Sequence, residues 1–189
     1  LIENNTEFQK SCEISFNYLE ENNHIITFGI LPTEPHTGYG YIKTEKNENK
    51  INNVLEFKEK PSLQIAKKFI KDGNYLWNSG IFMFNAKDII EEYRKLQSKT
   101  HESFNEIIIN QKNHNVEKLF LNIENISFDY AILEKSKNVV SMKININWSD
   151  LGSYSALYQK SKKDSNGNVC NIKENKLQDS KNNIIILPK

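Results

Sequence analysis

The sequence predicts an α/β domain, and three observations carry that prediction. Segments with apolar residues every three to four positions alternate with short runs rich in β-branched residues. One such run, Ile25 to Ile30, is continuously apolar, as a strand buried on both faces requires. The order from Thr6 to Gly73 is helix, strand, loop, strand, strand, helix, which interleaves the two kinds of element around one core.

The first segment, Thr6 to Glu20, carries Phe8, Cys12, Phe16 and Leu19 at helical spacing and reads as an amphipathic helix. After the buried strand, Pro32 and Pro35 break regularity before a second extended run, Tyr39 to Thr44. The polar turn KNENK leads into a third, Ile51 to Lys58. Pro61 and Ser62 open a helix with Leu63, Ala66, Phe69 and Ile70, and Gly73 closes it where a left-handed residue is expected. Tyr75 to Phe84 reads as a buried strand interrupted at Asn78-Ser79-Gly80, followed by a helix with Ile89, Ile90, Tyr93 and Leu96. Further helical stretches fall at Ser103 to Gln111 and Ser127 to Ser136. A strand at Val139 to Ile144 then precedes a loop entering a helix at Gly152 or Ser153. From Asp164 the texture changes to Asn-Gly turns and short apolar pieces, Asn168 to Asn171 and Asn183 to Leu187. A boundary near 163 is expected, with one main domain over 1–163 and a small β-rich element over 164–189.

Lysines and arginines number 25 against 24 acids, so no net field steers the protein to nucleic acid or an acidic membrane. Cys12 and Cys170 stand far apart with no ligand spacing, which argues against a disulfide framework or structural zinc and implies a reducing cytoplasm. No apolar run approaches the length needed to span a bilayer, and Ile184 to Leu187 is strand-sized. His24, His36, His101 and His114 are scattered, and no Gly-x-Ser-x-Gly elbow supports acyl transfer.

Five places could carry chemistry. Thr37-Gly38-Tyr39-Gly40 fits neither phosphate-loop pattern and precedes a strand, so it reads as a tight turn needing positive φ. Glu59 and Lys60 follow a strand end, where ligands bind in α/β sheets; they could serve hydroxyl groups and a phosphate, or form a solvated surface pair. Asn78 inside an apolar run either caps a turn or meets a ligand, because a buried amide needs a partner. Asp150, at a loop-to-helix junction, is either a helix N-cap or a metal ligand. Asp129 and Glu134, five apart, fall out of register on a helix and read as structural or partner contacts.

The segments ITFGILPTEPHTGYGYIK, FKEKPSLQIAKKFIKDGNYLWNSGIFMF, SFDYAILEKS, NWSDLGSYSALY and DSNGNV, in this order, resemble the sugar-1-phosphate nucleotidyltransferases, specifically the bacterial mannose-1-phosphate guanylyltransferase type. The resemblance implies a GT-A-like domain, a mixed sheet with helices on both faces and a short β-rich C-terminal element. It implies GTP and mannose 1-phosphate as substrates and Mg²⁺ as cofactor. On the matching motifs, Gly40 would present its backbone to the sugar, Glu59 and Asn78 would take sugar hydroxyls, and Lys60 would hold the sugar phosphate. Asp150 would be one of two magnesium carboxylates, so that Lys60 and Asp150 carry catalysis. A homo-oligomer is compatible with this reading.

The family's N-terminal glycine-rich loop and its Asp-His pair do not occur here, and Leu1-Ile2 resembles the dipeptide that follows that pair. The expectation is therefore that residues precede Leu1 and that this chain alone does not turn over. A parent protein with a C-terminal cupin acting as a mannose-6-phosphate isomerase, a different hexose 1-phosphate as acceptor, and a non-catalytic sugar-phosphate-binding paralogue are the alternatives.

Overall fold

The computed structural model describes residues 1–45, 49–110, 116–171 and 177–186. Parts of three expected elements lie outside the described residues: 46–48 of the polar turn, Gln111 and Leu187. The chain forms two compact units, one of Asn4–Ile146 and one of Leu1–Glu3 with Asn147–Lys189.

The larger unit begins with α1, Asn5–Glu21, whose N-cap Asn4 accepts the Glu7 amide on its side chain. Its buried residues are Ser11, Ser15 and Leu19, while Phe16 is 61% exposed. Of the expected stripe, Leu19 is buried and the Phe8 ring packs 5.9 Å from that of Phe28, whereas Phe16 lies outside and Ser11 and Ser15 take buried positions. Ser11 donates its hydroxyl proton to the Glu7 carbonyl, so that polar atom is not stranded.

Strand β1, Ile25–Ile30, is buried throughout, as its unbroken apolar run requires. It lies between β4, Tyr75–Met83, antiparallel, and β5, Val139–Ile144, parallel. Strand β4 also pairs with β2, Tyr41–Thr44, and β2 pairs with β3, Ile51–Lys58, both antiparallel. The sheet is mixed, and it closes into a barrel in the order β1-β4-β2-β3-β5. Closure depends on β3 serving two neighbours: Ile51 to Asn53 pair with β5, and Val54 to Lys58 pair with β2.

Strand β4 is continuous where an interruption was expected. Against β1 its register moves from Phe82 opposite Thr27 to Asn78 opposite Gly29, so two extra residues bulge out around Gly80, whose φ is 72°. The polar step marks that bulge, which turns Asn78 inward.

Helix α2, Leu63–Asp72, ends at left-handed Gly73, φ 76°, as expected. Helices α3, Ala86–Leu96, α4, Ser98–Ile109, and α5, Val116–Leu121, follow β4. The stretch expected as a helix from Ser127 contains a π-helical turn, Asp129–Leu133. Its Ala131, Ile132 and Leu133 are at most 1% exposed and pack with Ile25, Ile42, Phe57 and Val139 in the core.

The smaller unit holds α6, Tyr154–Lys160, and a parallel pair, β6, Val169–Cys170, with β7, Ile184–Ile185. Asp164 accepts the Asn166 and Asn168 amides on Oδ1, and Asn168 donates to the Ser180 carbonyl, which ties the Asn-Gly turn to the strand pair. Among the described residues no helix is long and apolar enough to cross a membrane.

Candidate active site

The four sugar-side residues expected from sequence converge at one end of the barrel in the larger unit. Gly40 immediately precedes β2, and its carbonyl accepts the Asn78 amide at 2.8 Å. Glu59 and Lys60 leave the end of β3, and the Lys60 ammonium lies 3.0 Å from Oε1 of Glu59. The solvated-pair reading of Glu59 and Lys60 fails for one partner only: Glu59 is 8% exposed, whereas the Lys60 side chain is 59% exposed.

Gly38 and Gly40 do not adopt positive φ; the glycines that do are Gly73, Gly80 and Gly167. The tight-turn expectation for the loop is therefore corrected: what residue 40 requires is space. A Cβ there would stand 2.5 Å from Oε2 of Glu59 and 3.2 Å from both the Asn78 Cβ and the Phe57 ring. Besides Gly80, a left-handed residue near the site is Lys60, φ 44°, an unusual conformation for a side chain with a Cβ.

Asn78 is held on three sides. Its Oδ1 accepts from the Thr27 hydroxyl at 2.8 Å and from the Gly80 amide at 3.2 Å, while its Nδ2 donates to Asp129 Oδ1 at 3.0 Å. The amide oxygen is thus turned to the protein, and the one proton of Nδ2 not given to Asp129 is the side chain's remaining donor. Asn78 caps its own bulge and stays equipped to donate to a ligand oxygen.

Asp129 and Glu134 both face this cluster, which corrects the out-of-register reading. At about 100° per residue an α-helix would set them well apart, but Glu134 donates its amide to the Asp129 carbonyl at 2.9 Å, five residues back. That ring closure widens the turn and brings positions five apart toward one side. Asp129 meets Asn78, and Glu134 Oε1 accepts the Glu59 amide at 2.9 Å. With Thr27, these are the residues that spacing arguments missed; the motif SFDYAILEKS contained two of them.

The electrostatics follow from burial. Glu59 is pushed above the ordinary carboxylate range chiefly by desolvation, against the opposing hydrogen bond from Lys60, and the charges of Asp129 and Glu134 push the same way as burial. Asp129 is likewise raised by burial, and Lys60 is raised by its bond to Glu59 and stays cationic. The arrangement offers carboxylates to hydroxyl groups, one directed amide donor and one exposed cation.

Asp150 belongs to the smaller unit. It is exposed, and its Oδ1 accepts the Gly152 amide at 3.1 Å across left-handed Leu151, φ 53°. Helix α6 is capped by Ser153, whose Oγ accepts the Ala156 amide at 3.1 Å, so the N-cap reading of Asp150 is set aside.

A barrel-end cluster of carboxylates, amide and lysine, reached from strand ends and one π turn, thus forms the candidate site of this α/β domain. The nucleotidyl transferase family signature matches residues 5–167, and the chain belongs to that family. A mannose-1-phosphate guanylyltransferase of Salmonella montevideo is 35% identical over 184 residues, covering 89% of this chain and 38% of the relative. Among solved structures, a Thermus thermophilus protein described as mannose-1-phosphate geranyltransferase superposes with TM-score 0.78 at 23% identity, covering 99% of this chain and 57% of that one. A Helicobacter pylori protein described as mannose-6-phosphate isomerase superposes with TM-score 0.70 at 26% identity, covering 79% of this chain and 61% of that one. The chain thus spans 38% of the length of the curated relative from Salmonella.

Proposed function

We propose that this chain is the sugar-binding part of a guanylyltransferase that joins GTP and mannose 1-phosphate into GDP-mannose and releases pyrophosphate. The observation that carries the reading is the side-chain-free wedge at Gly40, set between Glu59 and Asn78 with the Lys60 ammonium beside Glu59. A hexose needs a close backbone approach, carboxylates and amides for its hydroxyl groups, and a cation for its phosphate.

In this reading Gly40 gives the ring its approach, Glu59 accepts from a sugar hydroxyl and Asn78 donates to a sugar oxygen. Lys60 balances the sugar phosphate. An oxygen of that phosphate attacks the α-phosphorus of GTP, the bond from the α-phosphorus to the bridging oxygen breaks, and pyrophosphate leaves with the electron pair. The nucleophile is already ionised near neutral pH, so the residues contribute placement and charge balance rather than a general base.

Mg²⁺ would supply charge neutralisation on the triphosphate. Asp150 suits it: Mg²⁺ is usually held by one or two carboxylates together with substrate phosphates. The absence of a side chain at residue 152 keeps space beside Oδ2, where a Cβ would stand at 2.7 Å. Residues 164–189 fit a small β-rich element.

The test is pyrophosphate release by the full-length gene product, comparing GTP with mannose 1-phosphate against UTP or dTTP with glucose 1-phosphate. Turnover of the first pair supports the reading; turnover of another pair alone, or of none, overturns it.

A further inference from the structure

We propose that Glu134 is a positioning residue for the sugar-phosphate cation: through the Glu59 amide it holds the strand exit from which Lys60 reaches its anion. The inference rests on the proposed function for its substrate and on the geometry of the π turn for its cause.

Lys60 carries the cation on a left-handed residue, φ 44°, two positions beyond Lys58, the last residue of β3. A non-glycine residue leaves that conformation readily unless its neighbours restrain it. On one side Pro61 supplies no such restraint, because a proline pushes the residue before it toward extended backbone. On the other, the Glu59 amide donates to Glu134 Oε1 at 2.9 Å. The second contact of Glu134 is weaker, with the Lys58 ammonium at 3.5 Å and the Lys58 side chain 46% exposed.

The charge of Glu134 works against the site, because it pushes the Glu59 carboxyl upward. What Glu134 contributes is therefore an acceptor atom at a fixed place. The place is fixed by the turn itself. Residues 131–133 are locked in the core, and the amide of Glu134 closes the five-residue ring on the Asp129 carbonyl at 2.9 Å. An α-helical turn through the same buried residues would rotate position 134 away from the β3 exit.

The test compares wild type, Glu134→Ala, Glu134→Gln, Lys60→Ala and the double variant Glu134→Ala/Lys60→Ala in the full-length gene product. Glutamine keeps an acceptor oxygen at the same reach; alanine removes it. The expected result is a rise of about tenfold in KM for mannose 1-phosphate in Glu134→Ala, with KM for GTP little changed. Glu134→Gln restores most of that loss. In the Lys60→Ala background, Glu134→Ala adds less than about twofold, because one variant acts through the other.

An unchanged sugar-phosphate KM in Glu134→Ala with only a lowered Tm overturns the proposal, as does an equal KM rise in both backgrounds. If wild type releases no pyrophosphate from GTP and mannose 1-phosphate, the functional reading falls by itself. Hydrogen exchange over residues 59–63 then decides the positioning role. Faster exchange in Glu134→Ala but not in Glu134→Gln supports it, and equal exchange in all three proteins overturns it.

Discussion

Oε2 of Glu59 lies 2.5 Å from the place a Cβ on residue 40 would take, so Gly40 and Glu59 share space that any other residue at 40 would contest. Gly40→Ala therefore acts on Glu59 rather than on the backbone. The displaced carboxylate loses its Lys60 contact, and overpacking costs about 1–3 kcal/mol. Tm should fall, and KM for mannose 1-phosphate should rise roughly tenfold. Thermal unfolding and steady-state kinetics check both; a drop in Tm with unchanged KM would leave Gly40 a packing role alone.

Lys60 joins an exposed charge to an unfavourable backbone conformation, and substitutions can separate the two. Lys60→Gly relieves the left-handed strain, of order 1 kcal/mol or more, while Lys60→Ala retains most of it. The glycine variant should unfold at the higher temperature of the two. Both should raise KM for mannose 1-phosphate alike and leave that for GTP alone. Weakened GTP binding with an unmoved sugar-phosphate KM would reassign the lysine.

Glu59 should make the protein less stable as pH rises. Burial raises its folded pKa, so the folded chain holds its proton more tightly than the unfolded chain. The contribution is thus present in acid and lost as pH climbs through the folded value. Glu59→Gln should accordingly raise Tm at neutral pH, with a gain that shrinks toward zero below the ordinary glutamate range, and should weaken sugar-phosphate binding at every pH. Unfolding temperatures from pH 4 to 8 read the sign directly; a gain that grows toward acid would contradict it.

Substitutions at Asp150 and Ser153 separate the proposed metal role of the first from the helix capping of the second. Ser153→Ala removes the acceptor for the Ala156 amide and should cost about 1 kcal/mol with no change in the Mg²⁺ titration. Asp150→Asn should lower kcat and shift the Mg²⁺ requirement upward with little effect on Tm. An unaltered Mg²⁺ titration in Asp150→Asn would remove the residue from the metal site.

Much of the fold was legible because its signals are local. The strands Ile51–Lys58 and Val139–Ile144 match their sequence boundaries, and Gly73 ends its helix left-handed, since hydrophobic runs and glycine act over a few residues. Gly40, Glu59, Lys60 and Asn78 were legible as candidates, but through their motifs; spacing alone gave each a bland alternative. On α1 the buried Leu19 was legible but Phe16 was not, because apolar periodicity favours Phe16 whereas packing selected Ser11 and Ser15. Asp129 and Glu134 were misjudged because counting residues assumed an α-helical turn.

Taken by itself, the sequence determined the α/β order of elements, the buried character of Ile25 to Ile30 and the residue types available to a sugar phosphate. These follow from hydrophobic pattern and turn chemistry, which need no knowledge of distant neighbours. The tertiary structure decided that β3 would close a barrel, that Gly40 would be required for space, and that a π turn would deliver Asp129 to Asn78 and Glu134 to the Glu59 amide. Each of those depends on groups far apart in the chain meeting at a few ångströms, and the register of the turn is set by the core packing of Ala131, Ile132 and Leu133.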